Sequence, residues 1–121
     1  MGSIMGIEDR IIGDVAVVKV HGDIVLNGSA VLADRIRTLL EQNRRRIVLD
    51  LADVRYVDSG GLGELIEAFS AAKNRGGVVK LLGVTKRLND LLVITKLLNV
   101  FECFDSQGDA IDSFSGRVVA R

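Results

Sequence analysis

The chain has 121 residues, a length that suits a single domain with one hydrophobic core. Apolar residues make up 48% of it and charged residues 26%, a composition that excludes a disordered tail protein. The 16 basic and 16 acidic side chains balance, so we expect neither a nucleic-acid partner nor a membrane partner. The single cysteine, Cys103, cannot form an internal disulfide, which favours a reducing cytoplasm as the setting.

The chain begins with a pattern that predicts a β-hairpin. A weak strand within residues 4–12 is followed by a valine-rich strand over residues 15–21. Only a Gly-Asp turn separates them, so the two strands should pair antiparallel. Gly22 and Asp23 are expected to end the second strand.

A helix and a buried strand are predicted next. Asn27 is expected to cap a helix that runs to about residue 43. The three arginines at 44–46 then read as a solvated turn, because no aromatic residues are interleaved with them as in a nucleic-acid interface. Residues 47–51 (IVLDL) form a nearly continuous apolar run, which is typical of a strand buried on both faces of a sheet.

The heptapeptide at residues 57–63 (VDSGGLG) leads from that strand into a second helix. Apolar residues at helical spacing follow or overlap it, namely Leu62, Leu65, Ile66, Phe69 and Ala72. Either Asp58 or Ser59 is therefore expected to be the N-cap. Because a helix N-terminus presents free N–H groups and a positive dipole, a hydroxyl placed there could carry a phosphate with little strain.

The second half of the chain continues the alternation of strands and helices. The second helix should end at the Gly pair at 76–77, and residues 78–82 form the next strand. A third helix follows, then a short strand at 101–104 and a last helix that Asp109 is expected to cap.

This order predicts an α/β fold in one domain spanning residues 1–121. The sheet should be small and mixed, with an antiparallel N-terminal hairpin followed by parallel βα units. Within that span, residues 1–3 are expected to be a cloning remnant and residues 116–121 a loose tail.

The residues needed for several kinds of catalysis are missing, so we expect no enzyme. A serine hydrolase needs a base and an orienting acid beside its nucleophile, but the only histidine, His21, lies at the end of a strand, where it is usually structural. Val57 also occupies the position where a nucleophile elbow needs glycine. One cysteine and one histidine offer no metal-ligand cluster. Residues 60–63 lack the Lys and Ser/Thr of a phosphate-binding glycine loop, so no cofactor is expected.

Residues 47–77 resemble the STAS domain of bacterial anti-sigma factor antagonists. In that family an apolar strand and a short loop lead to Asp-Ser-x-Gly-Leu-Gly, which opens a helix, and a Gly pair precedes the next strand. The matching residues here are Asp58, Ser59, Gly61, Leu62 and Gly63. The resemblance covers nearly the whole chain and implies a small sheet with helices packed mainly on one side.

The resemblance also implies a function in partner switching. The unphosphorylated family member binds an anti-sigma factor, often itself a serine kinase, and so releases a sigma factor. The kinase phosphorylates the antagonist, and a metal-dependent serine phosphatase resets it. By position, Ser59 is then the phosphoacceptor and Asp58 fixes the helix entrance. The partner-binding residues implied are Asp58, a docking ridge of Gly60, Gly61, Leu62 and Gly63, and the nearby Asp23.

The chain departs from the family pattern at two positions on the expected kinase-facing surface. Where members commonly read Gly-x-x-Asp, residues 22–25 read GDIV, so that Val25 takes the place of the Asp. Asp23, two positions earlier, is expected to substitute in part. Gly60 stands where many members carry Ser, Thr or Ala.

Two other functions remain open on the sequence. The same fold could serve as a constitutive adaptor subunit of a stress-sensing assembly or a lipid-transport complex. It could also bind a nucleotide or another small ligand at the same helix entrance. Fold alone does not choose among these functions.

Overall fold

A five-stranded sheet runs through residues 6–25 and 31–115, which are the residues that the computed structural model describes. The strands are β1 (Gly6–Ile12), β2 (Val15–Ile24), β3 (Arg46–Val57), β4 (Val78–Leu82) and β5 (Cys103–Phe104). They lie side by side in chain order, with β1 antiparallel to β2 and every later pair parallel. The predicted mixed sheet with an N-terminal hairpin is confirmed.

Three of the sequence-based expectations lie outside the described residues. They concern the cloning remnant at residues 1–3, the helix cap at Asn27 and the loose tail at residues 116–121. These stay predictions.

In the described ranges, four helices connect and cover the strands. They are α1 (Val31–Glu41), α2 (Ser59–Asn74), α3 (Lys86–Ile94) and α4 (Gln107–Ser113). The first three helices are crossovers between neighbouring parallel strands. Because such crossover connections are right-handed, these three helices pack on the same face of the sheet. Among the described helices, only the short α4 packs on the other face, so the expected arrangement, with helices mainly on one side, is confirmed. No helix in the described part of the chain is long and apolar enough to cross a bilayer.

The core has two layers because β2 is buried on both faces. Ala16 and Val18 point into the large cluster beneath α1, α2 and α3. Val15 and Val17 point the opposite way, into the smaller cluster beneath α4. Since successive side chains of a strand alternate between faces, a run of four apolar residues can feed both layers.

Two strands are longer than predicted, and the extra length carries the chain toward the start of α2. β2 does not end at Gly22 but continues to Ile24. Gly22 adopts a positive φ of 94° where the register with β3 shifts, and pairing with β3 resumes at the next residue. β3 continues through residues 52–57 rather than ending at Leu51. Its last pair is Val57 with Ile24.

The C-terminal elements differ from prediction in two details. Ser106, not Asp109, is the N-cap of α4, because its hydroxyl accepts a hydrogen bond from the backbone N–H of Asp109 at 3.1 Å. β5 contains only Cys103 and Phe104. Phe101, which was expected to begin that strand, is instead buried edge-on against Phe69 of α2, with ring centroids 5.1 Å apart.

A buried lysine lies where the smaller cluster opens to solvent. Lys80 belongs to the otherwise apolar β4, and its Nζ donates to Ser113 Oγ at 2.8 Å. Glu102 lies 3.5 Å from the same nitrogen, and the ring of Phe114 is 4.4 Å away. The charge is therefore paired and hydrogen-bonded, as a buried ammonium requires.

A buried carboxylate joins the two long helices. Glu64 of α2 lies on the buried face of its helix, and its Oε1 accepts a hydrogen bond from the backbone N–H of Leu32 at 2.6 Å. That N–H belongs to the first turn of α1 and has no partner within its own helix. Spacing groups Ile66 with the apolar residues of α2, but Ile66 is exposed and Glu64 is buried.

We expect Glu64→Ala to lower the free energy of unfolding by about 1–3 kcal/mol, because a buried N–H loses its acceptor. Glu64→Gln keeps an acceptor oxygen and should lose less. Glu67→Ala is the matched control, since Glu67 lies on the exposed side of the same helix and its surface pair with Arg37 is worth at most about 1 kcal/mol. Urea denaturation followed by circular dichroism measures all three. Equal losses for Glu64→Ala and Glu67→Ala would contradict this role.

Candidate functional site

The side chain that caps α2 is Asp58. It has an extended backbone (φ −92°, ψ −177°), and its Oδ1 accepts a hydrogen bond from the backbone N–H of Gly61 at 2.7 Å. Its carbonyl accepts the N–H of Leu62 at 2.8 Å and so begins the helix. Of the two caps that the sequence allowed, the structure uses Asp58.

The first turn of α2 lies directly against the end of β2. The backbone N–H of Asp58 donates to the carbonyl oxygen of Ile24 at 3.3 Å. A Cβ at Gly61 would be only 1.8 Å from that same oxygen, so no other residue fits there without a shift of the backbone. Gly63, two residues on, would meet no atom within 4 Å. The two glycines therefore have different reasons to be present, and only Gly61 is required by packing.

Ser59, the first residue of α2, is exposed. No group in the described part of the chain forms a hydrogen bond with its hydroxyl. Because Asp58 already serves as the cap, the hydroxyl of Ser59 has no structural task. It lies at the positive end of the helix dipole, and no acidic residue occupies the first turn.

Asp23 is brought to the same edge of the sheet. It lies in β2, in register with Tyr56 of β3, and its carboxylate is 3.6 Å from Nε of Arg55. Asp23 is therefore part of a strand rather than of a loop, but it does lie beside the helix entrance as expected. Val25 follows directly at the end of β2.

The docking ridge is less exposed than its sequence suggests. Gly60 is half-buried, Gly63 is exposed, and Gly61 and the side chain of Leu62 are buried, with Leu62 only 7% accessible. A partner at this turn would thus meet Ser59, two glycines and backbone, while Leu62 contributes to the core. The role of these residues in binding a partner stays a prediction.

Glu64 lies near this site, and its buried position was not predicted from the sequence. It ties α2 to α1 one turn beyond Ser59. A helical wheel could have predicted its burial. Glu64 lies on the same face of α2 as Gly61, Ala68 and Ala72, which are small and buried.

Comparison with known proteins identifies the family. The STAS domain model matches residues 6–110. The chain belongs to the STAS-domain family. The anti-sigma-B factor antagonist of Bacillus subtilis is 34% identical over 85 residues, which is 70% of this chain and 77% of that protein.

Solved structures show that the STAS fold extends across nearly all of the chain. An anti-sigma factor antagonist from Mycobacterium paratuberculosis superposes with a TM-score of 0.79 at 20% identity, covering 91% of this chain and 93% of that one. The Bacillus cell fate determinant SpoIIAA, in its phosphorylated form, gives a TM-score of 0.69 at 15% identity, covering 90% and 99%. At these identities the likeness concerns the fold alone.

We expect Gly61→Ala to destabilise this STAS domain by about 2 kcal/mol or more, because the new methyl group would collide with the carbonyl oxygen of Ile24. Gly63→Ala is the matched control in the same helix. It should raise stability by about 0.5–1 kcal/mol, since alanine favours the helix and nothing obstructs its methyl group. Chemical denaturation of both variants decides the point. A Gly61→Ala protein as stable as the wild type would mean that the start of α2 is not held against β2.

Proposed function

We propose that the unphosphorylated chain binds an anti-sigma factor and so releases a sigma factor, and that phosphorylation of Ser59 ends this binding. The observation that carries the proposal is the exposed hydroxyl of Ser59 beside a helix cap that is already supplied by Asp58. The name of the Bacillus subtilis relative supports an anti-sigma factor as the partner. The phosphorylated SpoIIAA structure supports phosphorylation as a modification compatible with this fold.

The fold itself should tolerate the phosphate. A phosphoserine adds about −1.5 to −2 charges and three acceptor oxygens. At Ser59 these oxygens would lie at a helix N-terminus, where negative charge is favoured. The hydroxyl makes no hydrogen bond with any residue in 6–25 or 31–115, so none there would have to break. Phosphorylation should therefore leave the architecture in place.

A docked partner would not tolerate the phosphate equally well. Gly60 and Gly63 let a partner's backbone approach closely, so a group on Ser59 would be covered by the complex. A buried charge without compensation costs on the order of 3–5 kcal/mol. Since 1.4 kcal/mol corresponds to a factor of ten, the affinity should fall by hundreds- to thousands-fold.

The remaining roles follow from the same surface. Asp23 would contact the partner from the end of β2, next to Arg55. The anti-sigma factor would itself be the serine kinase, and a metal-dependent serine phosphatase would restore binding. A reducing cytoplasm is the setting in which these partners would meet.

The test uses an anti-sigma factor of the serine-kinase type from the same organism, with ATP. We expect the intact mass of the wild-type chain to rise by one phosphate, and Ser59→Ala to stay unmodified. Ser70→Ala, which removes an exposed serine from the same helix, is the matched control and should be modified like the wild type.

Calorimetric titration of the purified forms then measures the switch. The wild type and Ser70→Ala should bind the anti-sigma factor, and the phosphorylated wild type should bind at least about a hundredfold more weakly. Equal binding by the phosphorylated and unphosphorylated forms would contradict the proposal and favour a constitutive adaptor.

A further inference from the structure

The surface around Ser59 is too small to account for a stable complex by itself. A standard protein interface buries about 800 Å² on each partner. The first turn of α2 offers one serine and two accessible glycines, because Gly61 and Leu62 are buried. A partner that covers Ser59 must therefore also contact a neighbouring surface.

A groove beside Ser59 supplies that surface, and its origin lies in the unequal lengths of the strands. β4 pairs with β3 only as far as Asp50, so the last residues of β3 have no strand neighbour on that side. α3 lies there instead and leaves a cavity of about 210 Å³. The apolar residues that line this groove, hereafter the β3–α3 groove, are Val54, Tyr56, Val57, Leu88, Leu91 and Ile94.

The groove has the size and exposure of a docking site for an apolar side chain. A cavity of about 150 Å³ accommodates a benzene-sized guest, so the groove can receive one aromatic or leucine side chain. Of the residues that line it, Ile94 is 78% exposed and Tyr56 is 46% exposed. Large apolar side chains gathered at the surface in this way mark interaction sites.

One cation at the mouth of the groove has no partner within the described residues. Arg55 is next to Asp23, and Asp90 is paired with Lys86 at 3.1 Å. Arg87, which also lines the groove, forms no ion pair or hydrogen bond with any residue in 6–25 or 31–115. A guanidinium in this state is suited to a carboxylate from outside the chain, which it can bind with two parallel hydrogen bonds.

We propose that the β3–α3 groove receives an apolar–acidic segment of the anti-sigma factor, with an apolar side chain in the cavity and a neighbouring carboxylate on Arg87. This rests on the proposed function. Tyr56 and Val57 line the groove, and Asp58 and Ser59 follow them directly, so one partner can cover both surfaces. The groove contacts the partner in the complex, while the phosphorylation state of Ser59 controls whether the complex forms.

The test compares groove variants with controls at the other end of the fold, using the same purified anti-sigma factor. Ile94→Glu puts a charge in the groove, and Arg87→Glu reverses the charge at its mouth. Val78→Glu is the apolar control, because Val78 is exposed where β4 begins, opposite the groove. Lys73→Glu is the charge control, since Lys73 is exposed in the last turn of α2.

We expect the affinity of the unphosphorylated protein to fall about tenfold or more for Ile94→Glu and for Arg87→Glu, as for central interface residues. Both controls should stay within about twofold of the wild type. Replacing the partner's acidic residue with lysine should restore binding to Arg87→Glu but not to Ile94→Glu. Circular dichroism checks that each variant is folded. We expect all of them to fold, because the altered side chains are exposed.

Other outcomes would overturn the inference. If the groove variants bind like the wild type while phosphorylation of Ser59 still abolishes binding, the groove is not part of the interface although the proposed function stands. If Ile94→Glu only dissociates a dimer seen by sedimentation, a second copy of the chain occupies the groove. If even the wild type binds no anti-sigma factor, the proposed function fails and the inference fails with it.

Discussion

The joint between the end of β2 and the first turn of α2 is the contact on which the site depends. The carbonyl oxygen of Ile24 accepts the N–H of Asp58, and Gly61 packs so closely against that oxygen that a methyl group would collide with it. Asp58 in turn caps the helix through the N–H of Gly61. These contacts fix the position of the start of α2 relative to the sheet. Ser59 is therefore held at a defined place on the surface.

The residues that hold the helix and the residue proposed to carry the phosphate are different residues of this short segment. Asp58, Gly61 and Leu62 hold the helix in place, and all three are at least partly buried. Ser59 and Gly63 are exposed; among the residues that the structure describes, none bonds to the Ser59 hydroxyl and none obstructs a side chain at Gly63. Because the cap and the hydroxyl belong to neighbouring residues, a modification of one need not disturb the other. This separation allows a small domain to change its surface charge without changing its architecture.

The sequence predicted those parts of the fold that depend on local patterns. The apolar run at 47–51, the turn between β1 and β2 and the entrance to α2 all follow from spacing and turn chemistry. Residues 52–57 were not predicted as strand, because their alternation is broken by exposed residues and only pairing with β2 extends β3. Glu64 and Lys80 were missed for a related reason. A charged side chain can be buried only with a partner elsewhere in the fold. That partner is the N–H of Leu32 for Glu64 and the hydroxyl of Ser113 for Lys80, and no local sequence pattern predicts either one.

Phosphorylation of Ser59 is expected to change the surface and to leave the helix entrance intact. Amide hydrogen exchange, measured by NMR on the phosphorylated and unphosphorylated protein, tests this expectation at the amides of Asp58, Gly61 and Leu62, each of which donates a hydrogen bond at the entrance. We predict the same protection of these amides in both forms, while the affinity for the anti-sigma factor differs. Loss of their protection in the phosphorylated protein would show that the phosphate acts by unfolding the start of α2, and would contradict the account.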